Sequence, residues 1–246
     1  MLINSYRFGD ANANAYIAAV EIADGQALET TTAAAITAFI VGCKTDGIWN
    51  AIKASCILAG ARTLAGALVP LVGTAPTNVN FVSGDYNRKT GLAGGSGKYL
   101  NSNRSNSADP QNSSHNAVFM TTTLSVPTTP YALINSHTSG NQLLVYNNNI
   151  IYVYNRTGAD SALGAVSGAV GLLGTTRNSA SFFTGRRNST NTNFGLTSLS
   201  PIASSVAVHQ SGPSIRLAFY SIGESLDLAL LDTRVTALIT AINAAF

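Results

Sequence analysis

Carboxylates are the first residues to test for chemistry, because a glycosidase needs two of them about 5 to 9 Å apart. On a strand, alternate side chains share a face, so such a pair would appear as two acids separated by one or three residues. The acids of residues 79–222 are Asp85, Asp109 and Asp160, and none are spaced in this way. The sequence therefore predicts no glycosidase centre.

Nucleophiles and metal ligands are the next groups to test. His115, His137 and His209 stand in unrelated settings, and no Gly-x-Ser-x-Gly elbow accompanies them. A zinc site needs clustered cysteine and histidine, whereas Cys43 and Cys56 have no histidine nearby. Calcium prefers several carboxylates close together, which the chain does not offer. We expect a protein that is not an enzyme and has no metal or cofactor.

One polar group remains as a possible ligand or partner site: Asp85, Tyr86, Arg88, Arg104 and His115. In the functional interpretation, the tyrosine is a stacking platform and Arg88 a forked hydrogen-bond donor. In the structural interpretation, Asp85 and an arginine form a buried pair that anchors a long loop. We favour the structural interpretation, because buried charges in a charge-poor protein are normally paired.

The composition is unusual in its charge. Charged residues make up 10% of the 246, whereas the hydrophobic fraction of 46% is ordinary. The net charge is +3, and the densest basic cluster, Arg186 with Arg187, is too small to follow a nucleic-acid backbone. Such a low charge indicates either a membrane protein or an assembly that hides much of its surface.

The apolar run Cys56–Gly73 is the best membrane candidate, but it contains Arg62 and Pro70. The first residues have no basic and apolar signal-peptide pattern, so we expect a soluble chain made in the cytoplasm. A disulfide between Cys43 and Cys56 is possible, and two small buried thiols in a reducing compartment are favoured.

The first 75 residues read as helical. Asp10 can cap a helix over Ala11–Ala23, and Thr30–Thr32 can cap a second over Ala33–Val41. Asp46 can cap a third, short helix that carries Ile48, Trp49 and Ile52. The run Cys56–Val72 is a buried connector, extended or helical.

From residue 79 onward, short apolar segments alternate with turn residues, and Asn147–Asn149 is the clearest hairpin turn. Many short strands joined by turns favour a two-sheet sandwich of the jelly-roll kind. The predicted strands are Val79–Val82, Lys98–Tyr99, Ala117–Thr123, Tyr131–Ile134, Gln142–Tyr146, Ile150–Tyr154, Gly168–Thr175, Ser179–Thr184 and Arg216–Ser221.

The end of the chain again has helical spacing, with Ser225 as the predicted N-cap. We therefore expect three parts: a helical and connector segment over 1–76, a β-sandwich over 77–222 and an amphipathic helix over 223–246. Weakly charged helices beside a sandwich would expose apolar patches, which indicates assembly interfaces. The expected interface residues are Leu226, Leu230, Val235, Leu238, Ile242 and Phe246.

Three long runs resemble a group of bacteriophage virion proteins. These are DGIWNAIKASCILAGARTLAGALVPLVGTAPTN (46–78), NFVSGDYNRKTGLAGGSGKYLNSNR (80–104) with DPQNSSHNAV (109–118), and RLAFYSIGESLDLALLDTRVTALITAINAAF (216–246). The resemblance implies a concanavalin A-like β-sandwich of the lectin and glucanase type. It also implies a place on a virion, made in the host cytoplasm, and not a reaction.

Two functions from different classes follow. In the first, the chain is a virion structural protein, such as a capsid decoration protein or a tail component. It would assemble with itself, with a trimer as the first expectation, and with other virion proteins. In the second, it is a carbohydrate-binding module that recognises a host-surface glycan, with Tyr131, Tyr146, Tyr152 and Tyr154 as possible platforms.

Overall fold

The computed structural model describes residues 9–123, 131–136, 141–145, 149–166, 168–210 and 215–246. Its helices in these residues are α1 (Ala11–Asp24), α2 (Thr30–Thr45), α3 (Leu64–Ala67) and α4 (Leu228–Ala244). Short 3₁₀ turns lie at Trp49–Ala51, Ser83–Asp85 and Asn106–Ala108.

The described strands form two antiparallel sheets. The strands are β1 (Ile52–Ile57), β2 (Thr77–Val79), β3 (Tyr86–Asn87), β4 (Gly91–Ala93), β5 (Tyr99–Ser105), β6 (Ser114–Met120), β7 (Tyr131–Asn135), β8 (Asn141–Val145), β9 (Ile150–Asn155), β10 (Ala162–Ala165), β11 (Gly171–Arg177), β12 (Phe183–Arg187), β13 (Thr190–Phe194), β14 (Ser205–Gln210) and β15 (Arg216–Gly223). The first sheet runs β13-β12-β11-β6-β15-β4-β3, with β1 also paired to β15. The second runs β10-β9-β8-β7-β14-β5-β2.

Alternation along the strands of the first sheet builds two cores. On β6, Val118 and Met120 point between the two sheets, where they pack with residues of the second sheet such as Leu133. Ala117 and Phe119 point to the other face, where they pack against the helices. The protein therefore has three layers, helices on sheet on sheet, and the predicted β-sandwich with helical ends is confirmed.

The helix ends follow local signals in part. The Asp10 carboxylate accepts hydrogen bonds from the backbone N–H groups of Asn12 and Ala13, at 3.0 and 3.2 Å, and so caps α1 as predicted. The N-cap of α4 is Asp227, which accepts from two backbone N–H groups, and not the predicted Ser225. Ser225 Oγ instead lies 3.1 Å from Ser113 Oγ.

The third predicted helix is wrong. Only the 3₁₀ turn Trp49–Ala51 forms, and the chain then becomes β1, which pairs with β15. Ile48, Trp49 and Ile52 fit a helical face equally well, but the edge of β15 offers Ile52–Ile57 a ladder of backbone hydrogen bonds. The predicted segment 1–76 therefore contributes a strand to the first sheet as well as helices.

All nine predicted strands overlap observed ones, although Tyr146 and most of the predicted Asn147–Asn149 turn lie outside the described residues. The pairing of β8 with β9 agrees with a hairpin at this place. Six strands were not predicted: β1, β3, β4, β10, β13 and β14. Of these, β3, β4 and β10 have only two to four residues and β13 is rich in threonine and asparagine, so their composition resembles that of turns. β1 and β14 have six residues each and are not rich in turn residues, so composition does not explain why they were missed.

The two cysteines are free and buried, which excludes the disulfide alternative. Cys43 lies on α2 and Cys56 on β1. Burial raises the pKa of each thiol to about 12, so both stay protonated at neutral pH.

The apolar face of α4 packs inside the chain. Val235, Leu238 and Ile242 are buried in the core shared with α1 and α2, and Leu226 is buried beside them. These four side chains are therefore not available to another subunit. Of the expected interface residues, only Leu230 and Phe246 are exposed, each by 37%.

Candidate functional site

Asp85 belongs to an ion pair, but its partner is a lysine and not the expected arginine. Lys98 Nζ lies 2.5 Å from Asp85 Oδ1, and the backbone N–H of Val82 donates to Oδ2 at 2.8 Å. Burial alone would raise the pKa of Asp85, but these hydrogen bonds outweigh it and lower the pKa. The carboxylate therefore serves to hold the loop before β3 in place.

Tyr86 and Arg88 join the sandwich to the helical layer. Tyr86 Oη donates to the carbonyl oxygen of Ala61 at 2.7 Å, and Arg88 Nε donates to the same oxygen at 3.0 Å. Both Arg88 Nη atoms donate to the carboxylate of Glu29, at 3.1 and 2.5 Å. The Phe246 ring lies 4.0 Å from the guanidinium. We call this group, Glu29, Ala61, Tyr86, Arg88 and Phe246, the Arg88 junction.

Arg104 and His115 make a separate set of contacts. Arg104 forms a bidentate ion pair with the buried carboxylate of Asp109. His115 lies with Nδ1 2.5 Å from the carbonyl oxygen of Glu224 and Nε2 2.7 Å from Ser221 Oγ. Burial lowers the pKa of His115 to about 4, so the imidazole is neutral at pH 7. The five sequence-predicted residues are therefore not brought to one cavity, and their polar groups bind the chain itself.

Two of the four tyrosines expected as sugar platforms are buried and so cannot stack on a ligand. Tyr131 and Tyr154 are buried, and Tyr154 Oη donates to Asp160 at 2.6 Å. Tyr152 is half-buried on β9. Tyr146 lies outside the described residues.

A different aromatic residue lines a cavity on the surface of the helical layer. Trp49, the single tryptophan of the chain, stands in the 3₁₀ turn between α2 and β1. The cavity has a volume of about 520 Å³ and is lined by Asn12, Lys44, Gly47, Trp49 and Asn50. We call it the Trp49 cavity. Its position is fixed because α1, the end of α2 and the 3₁₀ turn before β1 all meet there.

Local sequence explains how Trp49 is held. Helix α2 ends at Thr45, and Gly47 takes a φ of 73°, a left-handed conformation that favours glycine. The chain thereby turns back, and one part of the indole packs against the buried core under α2. The remainder is exposed to the cavity, so the ring presents a fixed apolar surface there.

The charged groups at the Trp49 cavity neutralise each other. Lys44 Nζ lies 2.8 and 2.6 Å from the two carboxylate oxygens of Asp10, and 2.6 Å from Asn12 Oδ1. The hydrogen bond from Lys44 lowers the pKa of Asp10. Nζ is also 5.6 Å from the centre of the Trp49 ring. In contrast, the exposed Asn50 amide has no hydrogen-bond partner among the residues that the structure describes.

Two smaller cavities differ in lining. One of about 390 Å³ lies where β11, β12 and β13 meet the start of α4, and its lining is Thr176, Asn178, Thr184, Asn191, Ser225, Leu226, Asp227 and Leu228. The other, of about 180 Å³, is lined by Lys53, Ala54, Gly73, Thr74, Ser102, Asn103, Arg104, Ser105 and Ala108. None of the described residues that line these two cavities is aromatic. Only the Trp49 cavity, among these three, combines an aromatic surface with amides.

Comparison with known proteins gives a fold but not a family. No protein-family model matches the chain, and no curated protein matches it. Among solved structures, the chain is similar to the botulinum neurotoxin serotype D binding domain, with a TM-score of 0.52 and 15% identity over 76% of this chain and 52% of that one.

Two further solved structures show the same likeness. A serotype D ligand-binding domain in complex with N-acetylneuraminic acid matches with a TM-score of 0.50 and 14% identity, over 80% of this chain and 52% of that one. A structure of botulinum neurotoxin type C matches with a TM-score of 0.52 and 11% identity, over 78% of this chain and 51% of that one. Cell entry of that toxin is described as dependent upon interaction with two ganglioside molecules. The chain spans about half the length of these structures. The two serotype D structures are binding domains, and at such identities all three share the β-sandwich fold alone with this chain.

Sequence reasoning missed the Trp49 cavity because it placed Trp49 on the face of a helix. A signal was present: a single tryptophan stands next to Asn50 and two residues after Gly47. A glycine that ends a helix before an aromatic-amide pair indicates a turn, where the ring is partly exposed. No cluster of three or more metal-ligating side chains and no helix able to cross a membrane occurs in the described ranges.

Proposed function

We propose that this chain is a non-catalytic, carbohydrate-binding module of a bacteriophage particle, and that it recognises a host-surface glycan in the Trp49 cavity. The observation that carries the proposal is the cavity itself. Sugars present an apolar C–H face to an aromatic ring and hydroxyl groups to amides, and the cavity offers Trp49 for the first with Asn12 and Asn50 for the second. Its volume of about 520 Å³ suits a small saccharide.

Two other facts support recognition over catalysis. The described carboxylates are committed to caps, ion pairs or other hydrogen bonds within the chain, such as Asp10 with Lys44 and Asp109 with Arg104. None of the three cavities is lined by a pair of described carboxylates, as a glycosidase needs. The solved structures that share the fold are binding domains, one of them with a bound sugar acid. The phage particle enters the proposal through the sequence resemblance of residues 46–118 and 216–246 to virion proteins.

The test is a glycan array probed with the purified chain, followed by titration of each hit. We expect Trp49→Ala to weaken binding at least tenfold, because the stacking surface is lost. Phe182→Ala is the matched control, since Phe182 is also a partly exposed aromatic, at 37%, and does not line the Trp49 cavity. Equal loss in both variants, or binding that is unchanged in Trp49→Ala, would contradict the proposal.

A structural role in the particle is the second candidate, and one observation favours it. The exposed positions of α1 include Ala11, Ala15, Ala18 and Ile22, and the last is 82% exposed. On α2 they include Ala34, Ala38 and Val41. A solvent-facing helical surface this poor in charge suits contact with another subunit.

Incorporation tests the structural role separately. If the chain is an assembly subunit, Ile22→Glu lowers its copy number per particle while Trp49→Ala leaves the number unchanged. Light scattering of the purified chain would show whether it forms the predicted trimer. Normal incorporation of Ile22→Glu would count against contact through this surface.

A further inference from the structure

The charges around the Trp49 cavity bear on which class of saccharide it binds. Among the described residues that line the cavity, Lys44 is the one cation. An ammonium group has three N–H donors, and three oxygens lie within 2.8 Å of Lys44 Nζ: both carboxylate oxygens of Asp10 and Oδ1 of Asn12. The donors of Lys44 are therefore already used inside the protein.

The Asp10 carboxylate is equally committed. Besides the lysine, it accepts hydrogen bonds from the backbone N–H groups of Asn12 and Ala13 at the start of α1. The hydrogen bond from Lys44 lowers the pKa of Asp10, so the carboxylate is ionised at neutral pH. The charged pair is thus neutral as a whole, and a ligand carboxylate would meet both Lys44 and a fixed negative charge close behind it.

The groups that remain for a ligand are neutral. They are the indole of Trp49, the amide of Asn50 and the amide nitrogen of Asn12, whose oxygen is bound to Lys44. Amides both donate and accept, which matches sugar hydroxyls. A carboxylate in this position would instead have to displace Asp10 from Lys44, and would lose a charge-assisted hydrogen bond in doing so.

We infer that the Trp49 cavity is specific for neutral saccharides and discriminates against those that carry a carboxylate. The inference rests on the proposed function and narrows its ligand class. It follows from the pairing of Lys44 with Asp10, which leaves the described lining of the cavity without a free positive charge for a ligand carboxylate.

Matched pairs of glycans test it, each pair sharing a core and differing by one acidic sugar, such as lactose and sialyllactose. Titration calorimetry should show at least tenfold weaker binding of the acidic member. Asp10→Asn removes the negative charge and keeps an N-cap, because asparagine caps helices as well as aspartate. This variant frees the charge of Lys44, so we expect the discrimination to shrink at least threefold.

The possible outcomes distinguish failure of the inference about neutral saccharides from failure of the proposed glycan binding. Preference for neutral glycans that is lost in Trp49→Ala and reduced in Asp10→Asn supports the inference. Equal or tighter binding of acidic glycans, abolished by Trp49→Ala, overturns it and leaves the proposed function intact. If no member of any pair binds, both the inference and the proposed function fail. Circular dichroism of Asp10→Asn checks that α1 remains folded.

Discussion

The Arg88 junction and the Trp49 cavity both involve the helical layer, and each contains a cation beside an aromatic ring. At the junction, Arg88 directs Nε and both Nη atoms to the carboxylate of Glu29 and to backbone carbonyls. At the cavity, Asn50 has no partner among the described residues and Trp49 is only half-buried. Polar and aromatic side chains therefore indicate a binding site only where their polar atoms are left uncommitted.

Among the changes considered, acidification should lower the free energy of unfolding the most, because it protonates two buried histidines whose rings make hydrogen bonds inside the chain. Burial lowers the pKa of both His115 and His209 from 6.5 to about 4. As the pH falls below 6.5, the unfolded chain binds these protons before the folded one, so the free energy of unfolding decreases until about pH 4. The loss is roughly 3 kcal/mol for each histidine.

Urea unfolding between pH 7 and 4.5 measures this loss, and His209→Gln should reduce its slope. Glycan binding in the Trp49 cavity should stay constant over the same range while the protein remains folded. Below pH 4, carboxylates with lowered pKa extend the fall, namely Asp10, Glu29, Asp46 and Asp85. A free energy of unfolding that is flat from pH 7 to 5 would show that neither histidine is buried in its neutral form.

Removing a fully committed arginine should have the next largest effect. Arg177 is completely buried, and it donates to the carbonyl oxygens of Asn155, Ser179, Phe182 and Leu196 at 2.9 to 3.1 Å. Arg177→Met leaves these oxygens without their donor, which should destabilise the fold by about 4 kcal/mol. Denaturant unfolding measures the change. A loss below about 1 kcal/mol would mean that water replaces the guanidinium at these carbonyls.

Local patterns predicted the elements whose signals lie within a few residues of each other. The cap at Asp10 with the apolar face Tyr16, Ile17 and Val20 defines α1, and those three side chains are buried as the spacing requires. The apolar run Ile150–Tyr154 likewise corresponds to β9, which pairs with the preceding strand β8. In both cases, the hydrogen bonds that stabilise the element are close in sequence.

Distant partners explain several of the predictions that were wrong. β1 is a strand because β15, far along the chain, pairs with it, and no local period shows this. Arg88 is structural because Glu29, 59 residues before it, takes two of its hydrogen bonds. The face of α4 was predicted as an interface because its apolar spacing is real, but the partner of Val235 and Ile242 is the core under α2.

The Arg88 junction itself should respond more weakly than Arg177. Arg88→Met keeps much of the side-chain volume but removes both hydrogen bonds to Glu29 and the cation beneath the Phe246 ring. We expect a loss of about 2 kcal/mol in the free energy of unfolding, since the pair is partly exposed. Lys89→Met is the control, because the residue is exposed and its side chain makes a single hydrogen bond among the described residues, to the Phe246 carbonyl. Similar values for both variants would remove the distinction between the junction and an ordinary surface.

Replacing Asn50 should change the free energy of unfolding the least. Asn50→Ala removes an exposed amide that has no partner in the described part of the chain, so the free energy of unfolding should change by less than about 0.5 kcal/mol. If that amide binds a sugar hydroxyl, the same variant weakens glycan binding by about 1 kcal/mol, or roughly fivefold. Asn178→Ala controls for loss of an exposed amide as such, because Asn178 is also exposed and lines the cavity of about 390 Å³ and not the Trp49 cavity. Lost stability with unchanged binding would give Asn50 the structural role of Arg88, and the contrast between the two regions would then rest on Trp49 alone.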